Sequence, residues 1–299
     1  MNCPICGFSS VNGAAVDHLP HFFCCSQCSG YYQKNTEKPF YSDDYFISSS
    51  QSSKKSVFQP IFDLFLFLRR KKIQKFLPRN GARILDYGCG NGKFVSYLKR
   101  KGFNIEGFDP SLSAVALSQK NNLPVFNRIP NRRYDLIMFW HSLEHSDTPL
   151  DDLKKCRQYF LPNSKFIIAV PNGESLEAKI FGQRWFCYDW PFHRVHFTPK
   201  SIQTLLEKAG FKIISADYFN PEYTVSSLAQ TFLNLFLPHN ALYSALANRR
   251  ISQNKAMILL FGIISIFMLI LFSPLLIIFF LMELLTKKTA AIIVVAENG

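Results

Sequence analysis

The chain has 299 residues, more than one compact unit of ordinary size needs, so segments at both ends require their own explanation and two appended units fit the arithmetic. It carries 34 Lys and Arg against 21 Asp and Glu, a net charge of +13, and between Lys54 and Lys101 thirteen basic residues face only Asp63 and Asp86. Such a cluster points to anionic head groups or a phosphorylated substrate, with a solvated helix face as the plain alternative; nucleic-acid binding finds no motif in its support.

The N-terminal segment carries Cys3-Pro-Ile-Cys6-Gly and Cys24-Cys25-Ser-Gln-Cys28, two C-x-x-C knuckles with 18 residues between Cys6 and Cys25. This is zinc-ribbon spacing: four thiolates around one tetrahedral ion would staple a segment too short to bury a core of its own. Cys3, Cys6, Cys25 and Cys28 are therefore the expected metal ligands. Cys24 is left over, and His18 and His21 lie close enough in sequence to replace one thiolate. Disulfides are the competing reading, disfavoured because the sequence shows no cleavable signal and a reducing compartment is expected. A redox role is weaker still, since neither pair opens a helix after a strand. Cys89, Cys156 and Cys187 are expected to act as small apolar residues.

Residues 46–80 join this ribbon to the rest. Ser48 to Ser53 is a polar linker, and Val57-Phe-Gln-Pro-Ile-Phe-Asp-Leu-Phe-Leu-Phe-Leu68, ending in Arg69-Arg-Lys-Lys72, reads as a helix. Its apolar side fits either a membrane interface or the face of a sheet, and packing on the sheet is the favoured expectation.

Arg83-Ile-Leu-Asp-Tyr-Gly-Cys-Gly-Asn-Gly-Lys-Phe94 is the most informative stretch. Ile84 and Leu85 supply a buried strand, and Gly88, Gly90 and Gly92 pave a turn where backbone N–H groups can approach a ligand with no Cβ in the way. A dinucleotide site would read G-x-G-x-x-G. Here the spacing is G-x-G-x-G and Asp86 precedes it, which would repel a phosphate and suits an amine-bearing ligand. Phe103-Asn-Ile-Glu-Gly-Phe-Asp109-Pro-Ser follows as a second strand ending in an acid 17 residues beyond Gly92. Asp109 alone would also serve as a helix cap, because Asp-Pro-Ser starts helices well.

Downstream, Tyr134-Asp-Leu-Ile-Met-Phe-Trp-His-Ser-Leu-Glu-His145 and Phe166-Ile-Ile-Ala-Val-Pro-Asn172 read as strands, and Val225 to Leu237 as an apolar helix that could lie on a membrane surface. From Ala256 to Leu285 only Ser265, Ser273 and Glu283 interrupt an apolar run, long enough for one crossing and too short for two. Ser273-Pro274 near its middle breaks the helix. Arg249, Arg250 and Lys255 before it, with Lys287 and Lys288 after, are consistent with both flanks on the cytoplasmic side, so a re-entrant or interfacial helical hairpin is expected. Thr289-Ala-Ala-Ile-Ile-Val-Val-Ala296 closes the chain as a short strand.

These segments, in order, resemble the class I S-adenosylmethionine-dependent methyltransferases, with the glycine turn as motif I. Trp185, Pro191-Phe-His193-Arg-Val-His196-Phe-Thr and Leu205-Leu-Glu-Lys-Ala-Gly-Phe211 are similar to a bacterial branch that includes ubiquinone-biosynthesis O-methyltransferases and surface-glycan-cluster methyltransferases. The resemblance covers roughly residues 80–220. It implies that Asp86, Gly88, Cys89, Gly90, Gly92, Asp109 and Pro110 form the cofactor site, with Asp109 taking the ribose hydroxyls. It also implies that the last strand enters the sheet antiparallel beside Lys212 to Phe219. The third strand and adenine loop would fall in the short stretch Val125 to Arg133. Methyl transfer from a sulfonium needs alignment and removal of a proton from the nucleophile, and His141, Glu144 and His145 crowd the loop where a base should lie, with His193 and His196 on a second loop that can fold over the same cleft. His145 is the expected base and Glu144 its orienting partner. Ubiquinone-type enzymes show E-x-x-E-H here and can hold a divalent cation; His141 replaces the first acid, which disfavours magnesium.

The expected fold is thus α/β: a Rossmann-like seven-stranded methyltransferase sheet with the last strand antiparallel, a small N-terminal zinc ribbon, and a hydrophobic helical hairpin inserted before the last strand. The divisions are 1–45 for the ribbon, 46–80 for linker and helix, 81–220 plus 288–297 for the core, and 221–287 for the membrane-associated insertion. The expected function is S-adenosylmethionine-dependent O- or N-methyl transfer at the cytoplasmic face of a membrane. The acceptor would be a lipid-linked saccharide, a quinone-like lipid or a surface-polymer precursor, membrane lipid a partner, and zinc a structural cofactor. The other reading is a membrane-tethered assembly protein that keeps the fold and recruits a partner through its ribbon.

Overall fold

A computed structural model of the chain describes residues 2–9, 13–33, 59–246 and 255–299. The serine-rich linker, Lys54, Lys55, Arg249 and Arg250 lie outside the described residues.

One sheet of seven strands organises the molecule. Its strands are β4 (Arg83–Tyr87), β5 (Asn104–Phe108), β6 (Val125–Phe126), β7 (Tyr134–Trp140), β8 (Phe160–Pro171), β10 (Phe211–Asp217) and β11 (Ala291–Asn298). They lie in the order β10-β11-β8-β7-β4-β5-β6. All neighbours are parallel except β11, which is antiparallel to both β8 and β10, with Ala291 opposite Pro171 and Ile293 opposite Asp217. The expected antiparallel last strand is therefore present and is clasped on both sides. Strands covered by helices on both faces read as unbroken apolar runs. β7 is buried throughout, and its side chains divide by parity: Ile137 and Phe139 join Leu85 and Phe166 on one face, Leu136 and Met138 join Ile84 and Ile167 on the other.

The N-terminal segment forms three short strands, β1 (Ala14–Ala15), β2 (Phe22–Cys24) and β3 (Tyr31–Gln33). β3 goes on to pair with β9 (Val195–His196), so the ribbon shares a sheet with a loop of the core. A separate apolar cluster cements the junction: Val16, Leu19, Phe22 and Tyr31 pack on Ala178, Trp185, Cys187 and Tyr188.

Helix α1 (Gln59–Gln74) corrects one expectation. Only its C-terminal part packs on the sheet, through buried Ile73 and half-buried Leu66; Ile61, Phe62, Leu64 and Phe67 are exposed. After α2 (Lys93–Arg100), α3 (Leu112–Lys120), α4 (Pro149–Cys156), α5 (Leu176–Phe181) and α6 (Pro199–Lys208) comes α7 (Pro221–Leu233). It starts four residues before the expected helix and is not laid on the surface: Thr224, Ser227, Leu228 and the run Gln230 to Leu233 are buried. α8 (Ala241–Leu246) leads to α9 (Lys255–Leu271) and α10 (Ser273–Thr286).

The chain breaks at Phe272, and Pro274 falls in the first turn of α10, where its missing N–H leaves no intrahelical bond unmade. The two axes meet at 71°. This is a bent pair rather than an antiparallel hairpin, because a single linking residue cannot reverse the chain. Among the described residues no single helix is long and apolar enough to cross a membrane; the bent pair passes that test jointly. Phe272 rests on Phe232, Phe280 on Phe219 and Phe279 on Phe181, while Phe267, Ile270 and Leu285 are 64%, 69% and 84% exposed.

Candidate active site

The carboxyl edge of the parallel strands gathers most of the chemistry-bearing residues. Gly88, Gly90 and Gly92 have φ of 76°, 56° and 71°, the left-handed region where a Cβ is penalised. At Gly88 a Cβ would also stand 2.4 Å from the Cβ of Ser142, whose hydroxyl donates to the carbonyl of Tyr87 at 2.6 Å. At Gly90 a Cβ would meet nothing within 4 Å, leaving open space at the crown of the turn. The Gly88 and Cys89 N–H groups are tied to the Phe108 carbonyl at 2.7 and 3.1 Å.

Asp109 does not cap α3; Ser111 does, accepting from the Ala114 N–H. Asp109 instead receives the Gly90 N–H on Oδ2 at 2.7 Å and the Ser111 N–H on Oδ1 at 2.9 Å, so its carboxylate is aimed at the glycine turn. Pro110 is exposed, and Cys89 is a half-buried thiol pushed well up by burial, hence unreactive. Asp86 is buried, and burial pushes its carboxyl up to about 7, with Arg69 opposing and Asp109 adding to the rise. A buried acid held that high favours a cationic partner. The third strand is only Val125–Phe126, as short as the sequence indicates.

Arg69 is the residue that sequence reading missed. Its guanidinium lies over the rings of Phe94 and Trp140 at 4.7 and 4.6 Å and pairs with Glu222 at 2.7 Å. Arg69 sits three residues after Leu66 and four before Ile73, on the face of α1 that packs inward, but which face that is follows from the tertiary packing of those two residues. Trp140 and Tyr223 were missed too, the latter because α7 brings it from 82 residues beyond His141 with no motif around it.

The histidine loop is a 3-10 turn, Leu143–His145. His141, at φ 52°, stacks on Tyr223 with ring centroids 3.3 Å apart and approaches Glu144 Oε1 at 3.4 Å. Burial holds His141 well below its usual pKa and pushes Glu144 up to about 8. Among the described residues neither Glu144 oxygen has a hydrogen-bond partner, and the same holds for Nε2 of His141 and the indole N–H of Trp140. Glu144 therefore does not orient His145. That ring is held through Nδ1 by the Phe192 carbonyl at 3.1 Å and lies edge-on to His193, centroids 4.7 Å apart. His193 is held in turn through Nδ1 by the Cys187 carbonyl at 2.8 Å. Nε2 of His193 lies 3.9 Å from Asp189 Oδ2. Burial lowers both histidines, so they stay neutral at pH 7. Glu144, His145 and His193 each bring one ligand atom to within 4.8 Å of the others.

His196 is not among them. It is fully buried between Phe22 and Trp185, held down at about 3 by burial, and belongs to the ribbon junction.

In the ribbon, Cys3, Cys6, Cys25 and Cys28 converge with their Sγ atoms within 4.8 Å, Cys3 to Cys28 at 3.8 Å and Cys6 to Cys25 at 3.7 Å. Cys24 points elsewhere, His21 stacks on Trp190, and His18 meets Tyr31 edge-on, so no histidine replaces a thiolate.

Sheet order, glycine turn and the two acids define a class I S-adenosylmethionine-dependent methyltransferase. The methyltransferase-domain family model matches residues 63–216, more than half of the chain, and the chain belongs to that family. It is similar to ubiquinone biosynthesis O-methyltransferases: 26% identical to one from Cereibacter sphaeroides over 168 residues, covering 48% of this chain and 67% of the relative. The relative from Rhodopseudomonas palustris is 29% identical over 164 residues, covering 48% and 64%. Among solved structures, a putative sarcosine dimethylglycine methyltransferase from Galdieria sulphuraria matches with a TM-score of 0.51 at 12% identity, over 88% of this chain and 92% of that one, which shows the shared fold. The reading as an assembly protein without chemistry is set aside.

Proposed function

We propose that the enzyme transfers a methyl group at the cytoplasmic face of a membrane, to a quinone-like lipid, a lipid-linked saccharide or a surface-polymer precursor. One observation carries the membrane reading: the apolar pair α9–α10 leaves the sheet after β10 and rejoins it at β11, at the edge that also bears the glycine turn and the histidine loop. Wherever that pair inserts, the cleft faces the same surface. The curated relatives are named for ubiquinone biosynthesis, which favours the quinone-like acceptor among the three.

The residues present fit S-adenosylmethionine. Gly90 leaves room at the turn, Asp109 offers a carboxylate for the ribose hydroxyls, and Asp86 with Arg69 supplies one acid and one base for a zwitterionic amino-acid tail. When bound, the cofactor supplies an electrophilic methyl group. His145, neutral and fixed through Nδ1, takes the acceptor's proton on Nε2, with His193 beside it. The carboxyl of Glu144 and the Nε2 of His141 are kept for the acceptor's polar groups, since burying them unpaired has no structural return.

The ribbon binds zinc in this reading. Four sulfurs at about 2.3 Å from a tetrahedral ion stand roughly 3.8 Å apart, matching the observed separations; a disulfide would require about 2.05 Å.

The test is to incubate the protein with membranes and lipid extracts and radiolabelled S-adenosylmethionine, and to identify the labelled species. Label confined to water-soluble products would overturn the lipid acceptor. Replacing His145 with Ala should lower turnover by about 10²–10⁴; unchanged turnover removes it as the base.

A further inference from the structure

Gln33 closes β3, the last strand of the ribbon, and is 9% exposed. Its amide is spent on the loop that carries His193. Nε2 donates to the His193 carbonyl at 2.6 Å and to the Pro191 carbonyl at 3.3 Å, while Oε1 accepts from Arg194 Nη1 at 3.1 Å. Its backbone N–H donates to the Arg194 carbonyl at 3.1 Å. Arg194 passes the connection on: its Nε donates to Asp147 Oδ1 at 2.7 Å and its backbone N–H to the Glu144 carbonyl at 2.8 Å. One ribbon side chain thus ties together the two loops that carry His145 and His193. The rest of the junction is aromatic and aliphatic, so a residue needed only to fill space would be apolar. A buried amide costs free energy unless every bond is made, and here it fixes direction as well as distance.

We propose that Gln33 is a positioning residue of the active site, through which the four-cysteine ribbon holds His193 against His145. The proposal rests on the assignment of those histidines to proton transfer. A loop released by a fraction of an ångström loses the alignment that the reaction depends on.

The experiment is a double-mutant cycle with Gln33→Leu and His193→Ala in the full chain, reading turnover on membrane lipid extract and the affinity for S-adenosylmethionine by calorimetry. Gln33→Leu is expected to lower kcat about tenfold while leaving the cofactor Kd within twofold and the zinc content unchanged. The double variant should be no slower than His193→Ala alone, because both act through one group. Gln33→Leu with undiminished kcat, or deficits that multiply, overturns the proposal. Should Gln33→Leu fail to fold, Gln33→Glu keeps the Arg194 pair and lacks the donor to the His193 carbonyl; it should show the same tenfold loss, and wild-type kcat in it overturns the proposal as well. His193→Ala with undiminished turnover sinks the histidine assignment whatever Gln33 does, whereas an impaired His193→Ala beside an unimpaired Gln33 variant sinks only the role of Gln33.

Discussion

Glu144 offers a measurable conflict between stability and function. Its side chain is 1% exposed, neither oxygen has a hydrogen-bond partner among the described residues, and burial raises it from 4.5 to about 8. Its folded-state pKa lies above the unfolded one, so the folded state holds the extra proton between pH 4.5 and 8, and stability falls as pH rises through that window. At about 1.4 kcal/mol per tenfold in proton affinity, the penalty at pH 8 has an upper bound of about 4 kcal/mol. Gln keeps the shape and removes the titration. Glu144→Gln should therefore be more stable than the parent at pH 8 by roughly 2–4 kcal/mol, some 5 °C in Tm for a chain of this size, and nearly equal to it at pH 5. Thermal unfolding of both proteins at the two pH values measures this directly. The same substitution should lower turnover, because the acceptor loses a carboxyl. A gain in Tm that does not depend on pH, or a loss at pH 8, would refute the reasoning.

Asp109→Asn should weaken S-adenosylmethionine binding about a hundredfold, from two charge-assisted bonds at about 1.5 kcal/mol each, while kcat at saturating cofactor changes little because ribose contacts do not tighten in the transition state; calorimetry and initial rates separate the two. If the four cysteines hold zinc as proposed, prolonged chelation, or Cys6→Ser, should lower the Tm and expose the 189–196 loop to limited proteolysis, since β3 of the ribbon pairs with β9. Ile278→Lys with Leu281→Lys on the exposed face of α10 should abolish flotation with phosphatidylglycerol vesicles and leave cofactor affinity unchanged. Single cysteines placed at the two flanks of α9–α10 should label from the same side of inverted vesicles; opposite sides would exclude re-entry.

The sheet was legible because its signals are local. Ile84-Leu85 before a glycine turn, the apolar runs at Tyr134 and Phe166, and the acid at Asp109 each fix a strand or a turn within a dozen residues. The glycine positions were readable for the same reason, as φ above zero is a property of one residue. What escaped depends on long-range placement. Arg69 looks like its neighbours Arg70, Lys71 and Lys72 until the sheet shows which face of α1 is inward. His193 and His196 stand three residues apart on one loop. Strand β9 turns one into the ribbon junction and the other toward His145, a distinction set by pairing with Tyr31 and Tyr32. The helix pair was readable as apolar and broken at Ser273-Pro274, but the 71° angle of the break was not, and Phe272 at that break packs on Phe232 from a distant helix.

The position of the insertion constrains the enzyme more than its hydrophobicity does. An apolar pair appended beyond a complete sheet could swing freely about its linker. Here the chain must return to place β11 between β8 and β10, where Ala291 to Ala296 are buried and bonded on both sides. Removing β11 to the far side of a bilayer would strip two ladders from the core, so the root of the pair is fixed beside Pro171 and Asp217. α9 and α10 are about 25 and 21 Å long at 1.5 Å per residue, each short of the roughly 30 Å hydrocarbon layer. Bent at 71°, they reach sideways as much as inward. Under the proposed membrane function, that geometry suits a wedge in one leaflet, which would hold the carboxyl edge of the sheet, and with it Asp86, Asp109 and His145, at head-group depth where the reactive end of an anchored acceptor would lie.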